Sequence, residues 1–156
     1  MISRAGPIGQ SFDGLIAQHT LSAYRDRHTR IGLLPRAPVV SIVDDDESVR
    51  AAMSSLVRSL SYEACVFESA EAFLASPSLR ETSCLIVDIQ MPGMSGLELQ
   101  TELHARQWCI PVIFITAFPE ERIRRRAQAA GAIGFFSKPV DSGAIISALD
   151  AALRLE

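Results

Sequence analysis

Asp44, Asp45, Asp46 and Glu47 form an unbroken acidic run directly after the mostly apolar Val39–Val43. Three further polar residues stand just past apolar runs: Asp88 after Cys84–Val87, Thr116 after Val112–Ile115, and Lys138 soon after Ile133–Phe136. Several carboxylates brought close together cannot all ionise comfortably without protons or a cation to offset their repulsion. Oxygen ligands with no Cys or His beside them suit a hard ion such as Mg²⁺, which keeps several of its waters. A carboxylate held beside such an ion is a usable nucleophile toward phosphorus, because the metal can bridge it and the incoming phosphoryl oxygens. Thr116 adds a hydroxyl donor, and Lys138 a compact cation on a flexible stem. Lys138 is the only lysine among 15 basic residues, which points to a task that arginine's planar fork would not fill. Taken singly these residues are ordinary: an acidic run suits a solvated helix start, and Thr116 or Lys138 suits a loop. Their weight is joint.

Bringing such residues together is the work of the elements between them. Val39–Val43 breaks into the acidic run and then into a helical pattern through Leu60. The same alternation recurs as Ala64–Phe67 before Ser69–Ala75, Cys84–Val87 before Leu97–Gln107, Val112–Ile115 before Glu120–Ala130, and Ile133–Phe136 before Ala144–Leu153. Five short apolar strands alternating with helices predict an α/β fold, a parallel sheet with helices on both faces. Gly131 suits a left-handed helix cap, and Ser69 and Asp141 stand where N-caps are wanted. An open parallel sheet gathers its chemistry at the carboxyl ends of its strands. In the strand order 2-1-3-4-5, strands one and three are neighbours and Asp88 faces Asp44 and Asp45.

Composition sets outer limits. With 156 residues, 48% hydrophobic and 21% charged, the chain suits one globular domain with a real core. A formal charge of −3 gives no whole-chain attraction to nucleic acid or an anionic membrane, so neither is expected as a direct partner. Cys65, Cys84 and Cys109, each in or beside an apolar run, are expected as buried thiols in a reducing compartment. No apolar run approaches the roughly 18 residues of a membrane span, and no signal-type segment opens the chain, so a cytoplasmic protein is expected. Residues 1–37, rich in Gly, Pro and Arg, read as a poorly ordered extension with a short helix around Phe12 to Tyr24, and residues 38–156 as the domain.

From Val39 to about Leu153 the chain resembles the receiver domains of bacterial response regulators, the CheY-like (flavodoxin-like) fold, and most closely the FixJ-like subgroup. The resemblance rests on Ile42–Arg50, Ser69–Leu74, Val87–Leu99, Ile115–Ala117, and Gly131-Ala132 followed by Phe135–Pro139. It implies a five-stranded parallel sheet in the order 2-1-3-4-5. It also implies Asp88 as phosphoacceptor, Asp45, Asp88 and the backbone carbonyl of Gln90 as Mg²⁺ ligands, and Asp44 acting through water. Thr116 and Lys138 match the family's threonine and lysine, Phe135 its switching aromatic, and Lys138–Pro139 a peptide bond that is typically cis in relatives. Gln90 and Phe118, two residues beyond Asp88 and Thr116, occupy positions that tune the lifetime of the phosphoryl group. Such a domain is a signalling module, catalysing only its own phosphorylation and dephosphorylation. Its implied partners are a histidine kinase or phosphotransfer protein, and an output protein or effector domain on the face made by helix four, strand five and helix five. A monomer or a phosphorylation-dependent homodimer would serve.

Relatives of FixJ continue into a DNA-binding helix-turn-helix, and no recognition helix is expected in this chain. Arg122, Arg124, Arg125 and Arg126 crowd the fourth helix as a solvated basic face or a docking patch for an acidic partner. A second class, a Mg²⁺-dependent phosphatase of the haloacid-dehalogenase type, has its nucleophile in an Asp-x-Asp after strand one that could be read onto Asp44 and Asp46, but the later acidic pair of such enzymes is missing. A binding-only pseudo-receiver is disfavoured because every expected residue type is present.

Overall fold

The computed structural model describes residues 36–154. The expected N-terminal extension, with its helix around Phe12 to Tyr24, lies outside the described residues but for its last two. Five strands form: β1 (Val39–Val43), β2 (Glu63–Phe67), β3 (Thr82–Asp88), β4 (Val112–Thr116) and β5 (Gly134–Ser137). They alternate with helices α1 (Glu47–Ser59), α2 (Ala70–Ala75), α3 (Gly96–Ala105), α4 (Glu121–Ala129) and α5 (Ser142–Leu153), and a 3-10 turn spans Pro77–Glu81. The strands are parallel, in the order β2-β1-β3-β4-β5 that the family resemblance implies.

Every residue of the three central strands is buried, as expected of strands covered on both faces. Side chains alternate across the sheet. On one face Phe73 of α2, Leu99 and Leu103 of α3 and Ala127 of α4 pack over Val43, Leu85, Val87 and Phe114. On the other, Met53 and Val57 of α1 and Ile145 and Leu149 of α5 cover Val40, Ile42, Ile86, Ile113 and Ile115. Each such aliphatic or aromatic side chain contributes about 1.5–3 kcal/mol on full burial, so the two-sided core holds the strand ends in fixed relation. Phe135 joins the first cluster and Phe136 the second, as alternation along β5 requires.

Local signals set the helix starts. The side chains of Asp46, Ser69 and Asp141 accept backbone N–H bonds from Ser48, Ala72 and Ala144. Ser95 and Glu98 form a reciprocal capping box at the start of α3. Gly131 takes the expected left-handed conformation, at φ 96°. Ser61 and Gln107 also adopt positive φ, at 71° and 64°, after α1 and α3, where no glycine or asparagine announced it. The cysteine expectation needs correcting: Cys84 is buried, Cys65 partly so, and Cys109 exposed. Its neighbours Trp108 and Ile110 pack against the core and leave Cys109 on the outside. Burial pushes the Cys84 thiol up to about 12, which keeps it protonated and inert. Among the described residues no helix is long and apolar enough to cross a membrane.

Candidate functional site

Strand register brings the chemistry to one rim. Val43 pairs with Val87, Asp88 with Ile115, and Thr116 with Ser137. Backbone bonds continue just past the strands: Asp44 N–H donates to the Phe67 carbonyl at 3.1 Å, Ile89 N–H to Ile115 at 3.0 Å, and Lys138 N–H to Thr116 at 2.8 Å. Asp44, Asp88, Thr116 and Lys138 are therefore positioned by the sheet itself. The Lys138–Pro139 peptide bond is cis.

One carboxylate oxygen from each of Asp44, Asp45 and Asp88 lies within 4.8 Å of the other two. Asp44 is fully buried and Asp88 is 4% exposed, while Asp45 is open to solvent. Lys138 Nζ lies 3.0 Å from Asp44 Oδ2 and 3.4 Å from Asp88 Oδ2, an ion-paired bridge between two strand ends. Asp44 is held further by the Asp46 N–H, which donates to its Oδ1 at 2.8 Å, and by Arg50 Nη1, which donates to its carbonyl at 2.8 Å. Burial, and then the charge of Asp44, push the Asp88 carboxyl up to about 6 against the pull of Lys138. For Lys138, burial favours the neutral amine, but the hydrogen bond and charge of Asp44, with the charge of Asp88, outweigh it and raise its pKa.

One ammonium cannot neutralise three clustered carboxylates. Asp88 Oδ1 is buried and has no hydrogen-bond partner among the described residues. An all-oxygen donor set with an orphaned buried anionic oxygen fits a hard divalent cation such as Mg²⁺.

Around this acidic centre lie the two positions singled out as lifetime-tuning. Thr116 Oγ1 donates to Gln90 Oε1 at 2.7 Å, and Phe118 N–H donates to Thr116 Oγ1 at 3.1 Å. The Phe118 residue is 67% exposed at the mouth of the β4–α4 loop. Phe135 is half-buried beside Phe114 on β4.

In the loop from Asp88 to α3, Pro92, Gly93 and Gly96 match the family's loop after the phosphoacceptor, but Glu71, which holds it, was assigned no role by sequence reasoning. Glu71 Oε2, reaching from α2, accepts the Met94 N–H at 2.9 Å. Gly93 has φ 77°, and a Cβ there would come 2.8 Å from Glu71 Oε2. A Cβ on Gly96 would lie 2.4 Å from the Asp88 carbonyl oxygen, so only glycine lets α3 begin this close to the acidic centre. Glu71 and Gly96 stand inside the blocks that carry the family resemblance, but only the contacts reveal what they touch. Arg50 was likewise missed, because an arginine on an amphipathic helix reads as surface. Asp46 points away from the cluster: its Oδ1 accepts the Ser48 N–H at 2.9 Å and the Ser48 hydroxyl at 2.7 Å, bonds that hold its carboxyl below the usual range.

Comparison with known proteins agrees with this geometry. A family model described as the response regulator receiver domain matches residues 40–150. The response regulator protein TodT of Pseudomonas putida is 42% identical over 120 residues, covering 77% of this chain and 53% of its own. The transcriptional regulatory protein FixJ of Azorhizobium caulinodans is 37% identical over 120 residues, covering 77% and 57%. The chain thus spans about half the length of the curated relatives it matches. Among solved structures, the response regulator StyR superposes with a TM-score of 0.71 at 42% identity, covering 76% of this chain and 60% of that one. The FixJ-N crystal structure superposes with a TM-score of 0.67 at 36% identity, covering 75% and 94%.

Proposed function

Because the chain belongs to the response regulator receiver domain family of two-component systems, we propose that Asp88 accepts a phosphoryl group from a histidine kinase or phosphotransfer protein. The observation that carries this is the convergence of Asp44, Asp45 and Asp88 with Lys138 and Thr116 at one rim of the sheet. An Asp88 carboxylate oxygen attacks phosphorus as the donor's P–N bond breaks, and the phosphoryl group moves intact. Catalysis of such a transfer is mainly positioning and charge neutralisation. A Mg²⁺ ion held by Asp45, Asp88 and the Gln90 backbone carbonyl, with Asp44 through water, would supply further neutralisation and orient the phosphoryl oxygens.

The chain's own residues do the rest. Lys138, paired to both buried aspartates, offsets charge that builds on the transferred group. The Thr116 hydroxyl exchanges its bond to Gln90 for one to a phosphoryl oxygen. That movement makes room for Phe135 to turn inward, so the face made by α4, β5 and α5 changes shape and is read by an output partner. The phosphoryl group does this by preferring one of two packings, a population shift. Gln90 and Phe118, both bonded to Thr116, govern water access and hence the lifetime. Asp46 is engaged as the N-cap of α1, which disfavours a phosphatase built on an Asp-x-Asp of Asp44 and Asp46.

The test is to locate the acyl phosphate. Incubation with acetyl phosphate and Mg²⁺, followed by peptide mapping, should find the label on Asp88 and none in the Asp88→Asn variant. A label on Asp44 would replace this reading with the phosphatase.

A further inference from the structure

An open groove runs between α3 and α4 on the sheet face they share. Its upper cleft, about 540 Å³, is walled mostly by apolar side chains, Ile89, Met91, Pro92 and Leu97, with Gln90 and Ser95 among them, and from α4 by Ile123. A second cleft of about 290 Å³ shares Leu97 and continues past Thr101 to Arg126, Ala129 and Ala130. Gln100, buried between the helices, donates to the Ala130 carbonyl at 3.4 Å and ties them together.

The charges on α4 are not equivalent. Arg124 and Arg125 both pair with Glu121, at 3.4 and 3.3 Å. Arg122 and Arg126 have no ion-pair partner among the described residues. They lie one turn apart on the same side of the helix, and Arg126 itself lines the lower cleft. An apolar floor edged by two unpaired cations is complementary to a surface that is apolar and acidic at once.

We propose that the α3–α4 groove docks an amphipathic helix of a partner protein, whose apolar side chains fill the two clefts and whose carboxylates meet Arg122 and Arg126. Helix-in-groove recognition needs this combination of apolar anchors and flanking charge. A small anion would leave Leu97 and Ile123 unused, and nucleic acid would meet a molecule of net charge −3. The chain's own first 35 residues carry Arg4, Arg25, Arg27 and Arg30 against Asp13 and Asp26, the wrong sign for this surface. The groove lies on the α3 flank of α4, away from β5, so it is distinct from the output face proposed above.

The test titrates the isotopically labelled full chain, watched by NMR, with a helical peptide bearing leucines at i, i+4 and i+7 flanked by glutamates. A control peptide carries lysines in place of the glutamates. The glutamate peptide should move the amide signals of Leu97, Thr101, Ile123 and Ala130, and the lysine peptide should not. Joint Arg122→Glu and Arg126→Glu should weaken binding about tenfold. Ala129→Phe, which fills the lower cleft from an exposed position, should block it while leaving the core untouched. Absence of binding, shifts confined to the α4–β5–α5 face, equal binding of the lysine peptide, undiminished binding by the charge-reversed chain, or self-association in place of the complex would each overturn the proposal.

Discussion

Asp88 holds its charge almost without solvent, beside Asp44 and with one oxygen lacking a hydrogen-bond partner among the described residues. Its pKa in the fold, about 6, lies above the 3.8 of an exposed aspartate. Between those values the folded protein keeps a proton that the unfolded chain has released, so stability falls as pH rises through that interval and stays reduced above it. The cost is on the order of 1–3 kcal/mol. Asp88→Asn should therefore raise the denaturation midpoint of the metal-free protein at neutral pH, with the gap closing below about pH 4. Gly96 supports the same residue from behind. In Gly96→Ala the gain in helix propensity, at most about 1 kcal/mol, opposes a backbone clash of the kind that costs about 1–3 kcal/mol. A net loss is expected in denaturant titration, and a variant as stable as wild type would show that the loop can shift freely. Phe118→Ala, which opens the approach to the Thr116 hydroxyl, should shorten the phosphoryl lifetime in a decay assay. An unchanged decay rate would remove Phe118 from that role.

The β3–α3 loop is shaped by an element that contributes nothing to the acidic cluster. Glu71 of α2 holds the Met94 N–H, and a single exposed hydrogen bond is worth about 0.5–1.5 kcal/mol. Glu71→Ala should therefore weaken Mg²⁺ binding by about two- to tenfold in calorimetric titration, whereas Glu71→Gln, which keeps an accepting oxygen, should bind nearly as wild type. Equal affinities for both variants would dissociate α2 from the site. Much of the element layout was legible because the central strands are apolar runs that end abruptly at polar residues, and Ser69 and Asp141 are caps with a physical reason to be there. The strand starts were less so. Thr82 opens β3 although it is polar, because its hydroxyl donates to the Ser78 carbonyl and meets the Ser41 hydroxyl, each at 2.7 Å; the Ser83 hydroxyl beside it is buried with no hydrogen-bond partner among the described residues. The turns at Ser61 and Gln107 were invisible because side chains that ordinarily avoid positive φ adopt it there. The capping box of Ser95 and Glu98 was readable from its spacing and went unread.

At the scale of the molecule, the site exists because a parallel sheet sends every strand's carboxyl end to one rim. Residues as far apart as Asp44 and Lys138 meet at 3.0 Å through four intervening strand and helix units. That convergence was legible once the family resemblance implied the strand order, since the order decides which ends are neighbours; the alternation of strands and helices alone left it open. The α3–α4 groove was not, because its shape depends on how two helices pack and which arginines find partners. The acidic cluster, Thr116 and Lys138 are claimed to act as one Mg²⁺-dependent phosphoryl acceptor. The most direct measurement is an NMR titration of the labelled chain with beryllofluoride, with and without Mg²⁺, on wild type and Asp88→Asn. The account predicts that with Mg²⁺ the wild-type signals of Asp88, Thr116, Phe135 and Lys138 shift together, and that neither the metal-free protein nor the variant responds. A wild-type spectrum unmoved by beryllofluoride and Mg²⁺, or an Asp88→Asn variant that shifts alike, would contradict it.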